Sequence, residues 1–521
     1  MRKKIIRIFV CVLLIAAVIP TVESIKNSTI TTTVPSAPQR SMVTNWTEIQ
    51  KLIANDGAAQ DNFGFSVSCS GDTILIGAYG DDDNGDYSGS AYVFTRSGTT
   101  WTQQAKLIAS DGAAGDWFGH SVSLDANIAL IGAPFDNDNW NYSGSAYVFT
   151  RSGTTWTQQA KLTASNGAAY EIFGWAASLS GDTALIGAPC PSVGNNRGAA
   201  YVFTWDGTTW VQVQKLLGPA EYLDFGYSVS IDYNTALIGA DRENSYRGSA
   251  YVYIRPGVDW MLQQKLTASD GVASDRFGCS VSLSGDTALI GAEDEYDSFY
   301  LSGSAYVFTR SGTTWTQQAK LTAADAAAGD YFGSSVSLSG DTALIGAYYG
   351  GDSGVDSGSA YVFTHSGATW AQQAKLTPSD GATNDRFGSS VSLDGDTALI
   401  GAYLDDDNGE DSGSAYVFIK EGGTPGLTFD ITGGFGIHLT IKNNGTTNAS
   451  GIPWQIHVEG GILGRINKTV IGTIDIAAGW PTTVESGMLL GLGPITIIAK
   501  VADEEQTATG TQIIILSMMK K

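Results

Sequence analysis

Residues 118–162 read FGHSVSLDANIALIGAPFDNDNWNYSGSAYVFTRSGTTWTQQAKL. Four short strand-like runs lie in this stretch. Ser121–Leu124 comes first, then an apolar run ending at Gly132-Ala133, then Gly144–Phe149, then Trp156–Leu162. Turn-rich segments separate them. The opening Phe-Gly recurs at Phe63, Phe118, Phe173, Phe225, Phe277, Phe332 and Phe387, at spacings of 55, 55, 52, 52, 55 and 55 residues. Four strands repeating every 50 or so residues is the signature of a β-propeller. Helical repeats would need apolar residues at a 3.6-residue spacing, which these units lack. The expected fold is therefore all-β, a seven-bladed β-propeller with four-stranded blades over residues 45–420.

The strand order also predicts how the ring closes. Unit seven begins at Phe387 and runs to Tyr416–Phe418, with no Trp-Thr-Gln-Gln-like strand after it. An unattached copy, Trp46–Leu52 (WTEIQKL), precedes unit one. The N-terminal strand should thus supply the outermost strand of the last blade, so that no unpaired edge is left. Inside each blade, small Ser-Val-Ser segments suit the crowded axis, and second strands that are apolar on both faces suit burial between neighbouring blades. The repeated Trp and Tyr, such as Tyr92 and Trp101, read as core and not as a ligand platform.

The chain carries a net charge of −23, from 52 acidic and 29 basic residues. That argues against a nucleic-acid partner, which needs a basic footprint. At 43% hydrophobic residues and with so regular a pattern, disorder is not expected. Residues 1–24 read as a secretory signal: Arg2, Lys3, Lys4 and Arg7 precede an apolar run, Ile8–Ile19, with Val22 and Ser24 at the cleavage site. The rival reading is a retained anchor, but a run of about 12 residues falls short of the roughly 20 that span a bilayer. No membrane span is expected in the mature chain, and the expected location is secreted or cell-surface. Residues 25–44 form a Ser/Thr/Pro-rich linker. Cys69, Cys190 and Cys279 are too few for a disulfide framework, and Cys69 and Cys279 read as small buried thiols.

The Phe118-Gly119 and Gly132-Ala133-Pro134 pair, repeated as Phe173-Gly174 and Gly187-Ala188-Pro189, resembles the FG-GAP repeat family. The resemblance covers all seven units. It implies the propeller of integrin α-subunit heads, whose members bind extracellular ligands, and is closer to the short repeats of prokaryotic exported proteins. Integrin-type repeats often carry an Asp-x-Asp-x-Asp-Gly calcium loop before Gly-Ala-Pro. Here that stretch is only Ser-Gly-Asp-Thr, as at Ser180–Thr183 and Ser284–Thr287, which suits a tight hairpin and cannot supply calcium's six to eight oxygens. The family's calcium site is therefore not carried over.

One face of the ring gathers the acidic loops. Units seven, one and two are ring neighbours and carry Asp405, Asp406 and Asp407, then Asp81, Asp82 and Asp83, then Asp136 and Asp138. These are the expected ligand-binding residues. Units three and four break the pattern, with Arg242 and Arg247 in unit four. Alternating donors at Asp82, Asn84 and Asp86, and at Asp406, Asn408 and Glu410, resemble part of a calcium loop but lack the downstream bidentate Glu. No cofactor is expected beyond weak calcium binding. A Gly-Pro-containing linker spans 421–426, and residues 427–521 read as an immunoglobulin-like β-sandwich resembling adhesion modules of prokaryotic surface proteins.

No catalytic motif appears: the four histidines, His120, His365, His438 and His457, show no metal spacing, and there is no nucleophile elbow or phosphate loop. The expected function is a binding or adhesion protein that presents an acidic propeller face to an extracellular protein or glycan. The alternatives are a structural surface component and a polysaccharide-active enzyme, whose carboxylates would have to occur once and not in every blade.

Overall fold

The computed structural model describes residues 46–420, apart from 138–140, 190–196, 219–223, 296–300, 352 and 368, together with seven strands between 427 and 512. It divides into two compact units, Val43–Glu421 being one. That unit is the seven-bladed propeller. Six blades are four-stranded antiparallel sheets of consecutive strands; the first consists of Ser66–Ser70, Thr73–Ala78, Ser90–Ser97 and Thr100–Leu107. The seventh contains Ser390–Asp394, Thr397–Ala402 and Ser414–Lys420, and its outermost strand is Trp46–Leu52. Trp46 pairs with Lys420 and Leu52 with Ala415. Both ends of the ring unit thus meet in one sheet, as the orphan strand predicts.

Each residue type in the repeat has a place. Second strands such as Thr73–Ala78 are buried along their whole length because sheets cover both faces. The Phe of each Phe-Gly packs edge-on to the Tyr and the ring two residues beyond it in the third strand; Phe63 lies 5.4 Å from Tyr92 and 6.0 Å from Phe94. The Gly that follows has no alternative. Gly119 sits at φ +91°, and a Cβ there would lie 2.2 Å from the Ser90 carbonyl oxygen. The Ser-Gly-Asp-Thr hairpins likewise place Gly71, Gly181 and Gly285 at φ between 55° and 57°.

Small residues at the axis do more than fit. One serine of each innermost strand accepts a backbone N–H of the next blade. Ser68 Oγ takes Leu124 N–H at 3.0 Å, the step repeats through Ser123, Ser178, Ser230, Ser282 and Ser337, and Ser392 Oγ takes Cys69 N–H at 3.0 Å. The seven blades are therefore joined in an unbroken circle of hydrogen bonds. Cys69 and Cys279 are free and buried; Cys190 lies outside the described residues.

The second unit contains two antiparallel sheets. Leu427–Gly433, Ile437–Asn443 and Pro481–Glu485 form one; Ile466–Ile476, Ala449–Gly460, Gly493–Val501 and Glu504–Gln512 form the other, in those orders. The packing of one sheet on the other, which would make an immunoglobulin-like sandwich, depends on side chains outside the described residues. No helix among the described residues is long and apolar enough to cross a membrane.

Candidate functional site at the axial mouth

The loops from outermost to next innermost strand and from second to third strand share one face. The acids of this face fall into two groups. The first recurs from blade to blade. In blade one, Lys106 comes from the outermost strand, Tyr92 from the third strand, and the acids from both loops. Lys106 Nζ lies 2.8 Å from Asp56, 2.8 Å from Asp81 and 2.7 Å from Asp83. The Tyr92 hydroxyl donates to Asp81 Oδ2 at 2.8 Å. Blade seven repeats this with Lys51 at 2.8 Å from Asp380, 2.9 Å from Asp405 and 2.5 Å from Asp407. Blade two does so with Lys161 at 2.7 Å from Asp111 and 2.8 Å from Asp136.

Geometry and charge explain why these acids stay together. Burial alone would lower the pKa of Lys106, but hydrogen bonds to Asp56, Asp81 and Asp83 outweigh it and hold the ammonium above its ordinary value. Burial and the nearby Asp81 and Asp56 raise Tyr92, so its hydroxyl keeps its proton and donates it. Asp81, Asp136 and Asp405 are only 3%, 2% and 3% exposed. These three of the expected ligand-binding acids are therefore interior pillars and not presented groups. The reason lies in the pleat: the Lys of each outermost strand's Lys-Leu and the Tyr of each Ala-Tyr-Val point at them across the blade.

Other expected residues also have internal partners. Asp82 Oδ1 accepts Tyr87 N–H at 2.7 Å, and Asp406 Oδ1 accepts Asp411 N–H at 2.8 Å. Asn84 and Asn408 donate their backbone N–H groups to Ser88 and Ser412 Oγ at 3.0 and 3.1 Å. The Asp86 and Glu410 carbonyl oxygens accept Gly115 and Gln60 N–H at 2.8 Å each, tying each loop to the next blade. Asp138 lies outside the described residues. Among the described residues no group of three or more His, Cys, Asp or Glu could hold a metal ion.

The second group occurs once. It surrounds the axis where the innermost strands begin, at positions just after Phe-Gly and just after Gly-Ala. Phe65 is the hub of an aromatic arc: 5.4 Å from Tyr403, 4.6 Å from Tyr79 and 5.1 Å from His120, ring centre to ring centre. His120 continues to Trp175 at 4.5 Å, and Trp175 to Tyr227 at 5.9 Å. Trp117 joins from the side, 4.8 Å from Tyr79. Phe65, Tyr79, Trp117, Trp175, Tyr227 and Tyr403 are all partly exposed, unlike the repeat's core aromatics. Burial lowers the His120 pKa to about 4, so the imidazole is neutral.

Blades four and five close the circle with charge. Arg276 lies over the Tyr227 ring at 5.6 Å. Its Nε and Nη2 donate to Asp241 Oδ2 at 2.9 and 2.6 Å, and its Nη1 donates to Glu293. Arg242 Nε stands 3.0 Å from Asp224. Burial pushes Glu293 up to about 7 against the lowering effect of Arg276, and Asp224 to about 6 against Arg242. Asp241 is fully buried, and among the described residues its Oδ1 has no hydrogen-bond partner. Across the mouth, Arg386 covers the Tyr349 ring at 3.6 Å.

Sequence reasoning found the symmetry break at Asp241–Arg247 and the acids around Glu293 but missed the aromatic arc and Arg276. A signal existed. The residue after Phe-Gly runs Phe65, His120, Trp175, Tyr227, Cys279, Ser334 and Ser389, varying where the rest of the unit hardly does.

A family profile described as FG-GAP repeat matches residues 46–94, 101–149, 156–203, 210–253, 260–308, 315–363 and 370–418. No curated protein matches the chain. Among solved structures, the crystal structure of Sqt1 from Chaetomium thermophilum aligns at 15% identity and a TM-score of 0.39, covering 73% of this chain and 97% of that one.

Proposed function

Since the chain belongs to the FG-GAP repeat family, we propose that it is a binding protein of the cell exterior, a rigid ring presenting one face to an extracellular protein or glycan. The observation that carries this reading is the division of that face. Its repeated acids are tied down from within by a lysine ammonium and a tyrosine hydroxyl, whereas the axial mouth is unrepeated, partly exposed and chemically mixed. A rigid scaffold holding one unrepeated cluster is how propellers and other loop-bearing folds display a site. The basic and apolar start at residues 1–24 and the Ser/Thr/Pro-rich stretch after it support export.

The experiment is a screen of the purified ring, residues 45–421, on protein and glycan arrays with and without calcium. Saturable binding is expected, unchanged by calcium and reduced when Tyr227 is replaced by alanine. Binding that requires calcium, or that survives Tyr227→Ala but is lost in Asp82→Asn, would place the site on the outer acidic loops instead. An array empty under both conditions would favour a structural role.

A further inference from the structure

We propose that the axial mouth is a carbohydrate-binding site, with the Phe65–Trp175–Tyr227 arc stacking on sugar rings and Arg276, Asp241 and Glu293 recognising sugar hydroxyls. This deepens the binding reading above and rests on it.

Three observations support it. The first is the arc itself. Solvent-accessible aromatic rings arranged around an axis provide flat apolar surfaces, and pyranose rings present C–H faces of matching size. Aromatic groups with a few placed polar partners are the usual lining of small-ligand sites. The second is the charged sector. Vicinal hydroxyls are at once donors and acceptors, so they pair with a guanidinium and a carboxylate set side by side. Arg276 and its two carboxylates form such a set, with the guanidinium 5.6 Å from the centre of the Tyr227 ring. The third is the unpartnered Asp241 Oδ1 within that set. A buried acceptor without a donor costs stability; Asp241 is 0% exposed, so a sugar O–H reaches its Oδ1 where binding shifts the Arg276 guanidinium that covers it.

A cationic side chain is the competing occupant, because aromatic rings also attract cations. The chain's own arginines already hold those positions. Arg276 lies over Tyr227, and Arg386 over Tyr348 and Tyr349 at 5.9 and 3.6 Å. An incoming ammonium or guanidinium would have to displace these arginines from the rings, whereas a sugar can stack on Phe65 and Trp175, over which no cation lies among the described contacts of the arc.

The test is isothermal calorimetry of the ring against cello-, manno-, galacto- and chito-oligosaccharides, with an oligolysine peptide as the rival probe. At least one oligosaccharide series is expected to bind. Trp175→Ala and Tyr227→Ala are each expected to weaken it about tenfold or more. Tyr233→Ser, which removes an aromatic that is 79% exposed on the opposite face, leaves the affinity unchanged. Melting curves of each variant separate lost binding from lost folding. The proposal is overturned if no oligosaccharide binds, if a folded Trp175→Ala and a folded Tyr227→Ala bind as the parent does, or if oligolysine alone binds through these rings. A protein ligand that docks on the same face while every sugar fails would sink this inference and leave the binding reading standing.

Discussion

Removing residues 46–52 lowers the melting temperature of the ring by more than about 10 °C and makes it prone to aggregate. The size of the effect follows from what the strand carries. Leu52 is 1% exposed and belongs to the core between blades seven and one; truncating such a side chain costs about 2–5 kcal/mol. Lys51 holds Asp380, Asp405 and Asp407 together, and taking one partner from a buried ion pair costs about 3–5 kcal/mol. Gln50 exchanges two hydrogen bonds of 2.8 Å with the Trp101 backbone of blade one. Loss of the strand also bares the edge of Ser414–Lys420, a template for pairing with another chain. These terms reach on the order of 10 kcal/mol, which for a ring of this size is more than 10 °C. Differential scanning calorimetry of the deleted and intact ring checks this; equal melting temperatures would contradict the closure.

Lys106→Met is the second large effect. It keeps the length and apolar stem of the side chain and removes its charge. Asp81 then remains buried with Asp56 and Asp83 beside it and no cation among them. Destabilisation of roughly 3 kcal/mol is expected, or about 4 °C in melting temperature. Asp82→Asn is the contrast. Its Oδ1 still accepts the Tyr87 N–H, so the change is within about 0.5 kcal/mol. Denaturant unfolding of the two variants separates them. Similar small effects in both would mean that the lysine clusters are surface ion pairs worth little, and the acids would return as candidates for a ligand.

The contrast between these two aspartates shows what a single sequence can disclose. Strand order, the hairpin glycines and the closing strand were legible because repetition supplies seven readings of one pattern. Trp46–Leu52 stood out as a fragment of a unit without its unit. The role of Asp405 was not legible in the same way. Its lysine is 354 positions away, and nothing local to the acidic run reveals that Lys51 and Tyr416 converge on it. A dense acidic loop reads as a charged surface until the pleat of two other strands is known. The axial mouth was hidden for the opposite reason. Its residues depart from the repeat, and departures such as Trp175 or Tyr227, taken one blade at a time, resemble drift. Only the ring brings them to one axis, where Phe65 of blade one meets Tyr403 of blade seven.

Two kinds of acid share one face of the ring. Those recurring from blade to blade, such as Asp81 and Asp405, are held by lysine and tyrosine and fix the loops. Those of blades four and five, Asp224, Asp241 and Glu293, lie with arginines beside aromatic rings, and burial raises the pKa of each. Groups that occur once and are so perturbed are where a ligand site is to be sought.

The most direct test of the closed ring needs no mutation. Native-state hydrogen exchange, read by mass spectrometry, reports the amides of Trp46–Leu52 against those of Ser414–Lys420 and the outermost strand Thr100–Leu107. The closed ring predicts that Trp46–Leu52 is protected to the same degree as Thr100–Leu107 and opens together with Ser414–Lys420. Exchange of Trp46–Leu52 at the rate of an unstructured tail, with blade seven still protected, would contradict it.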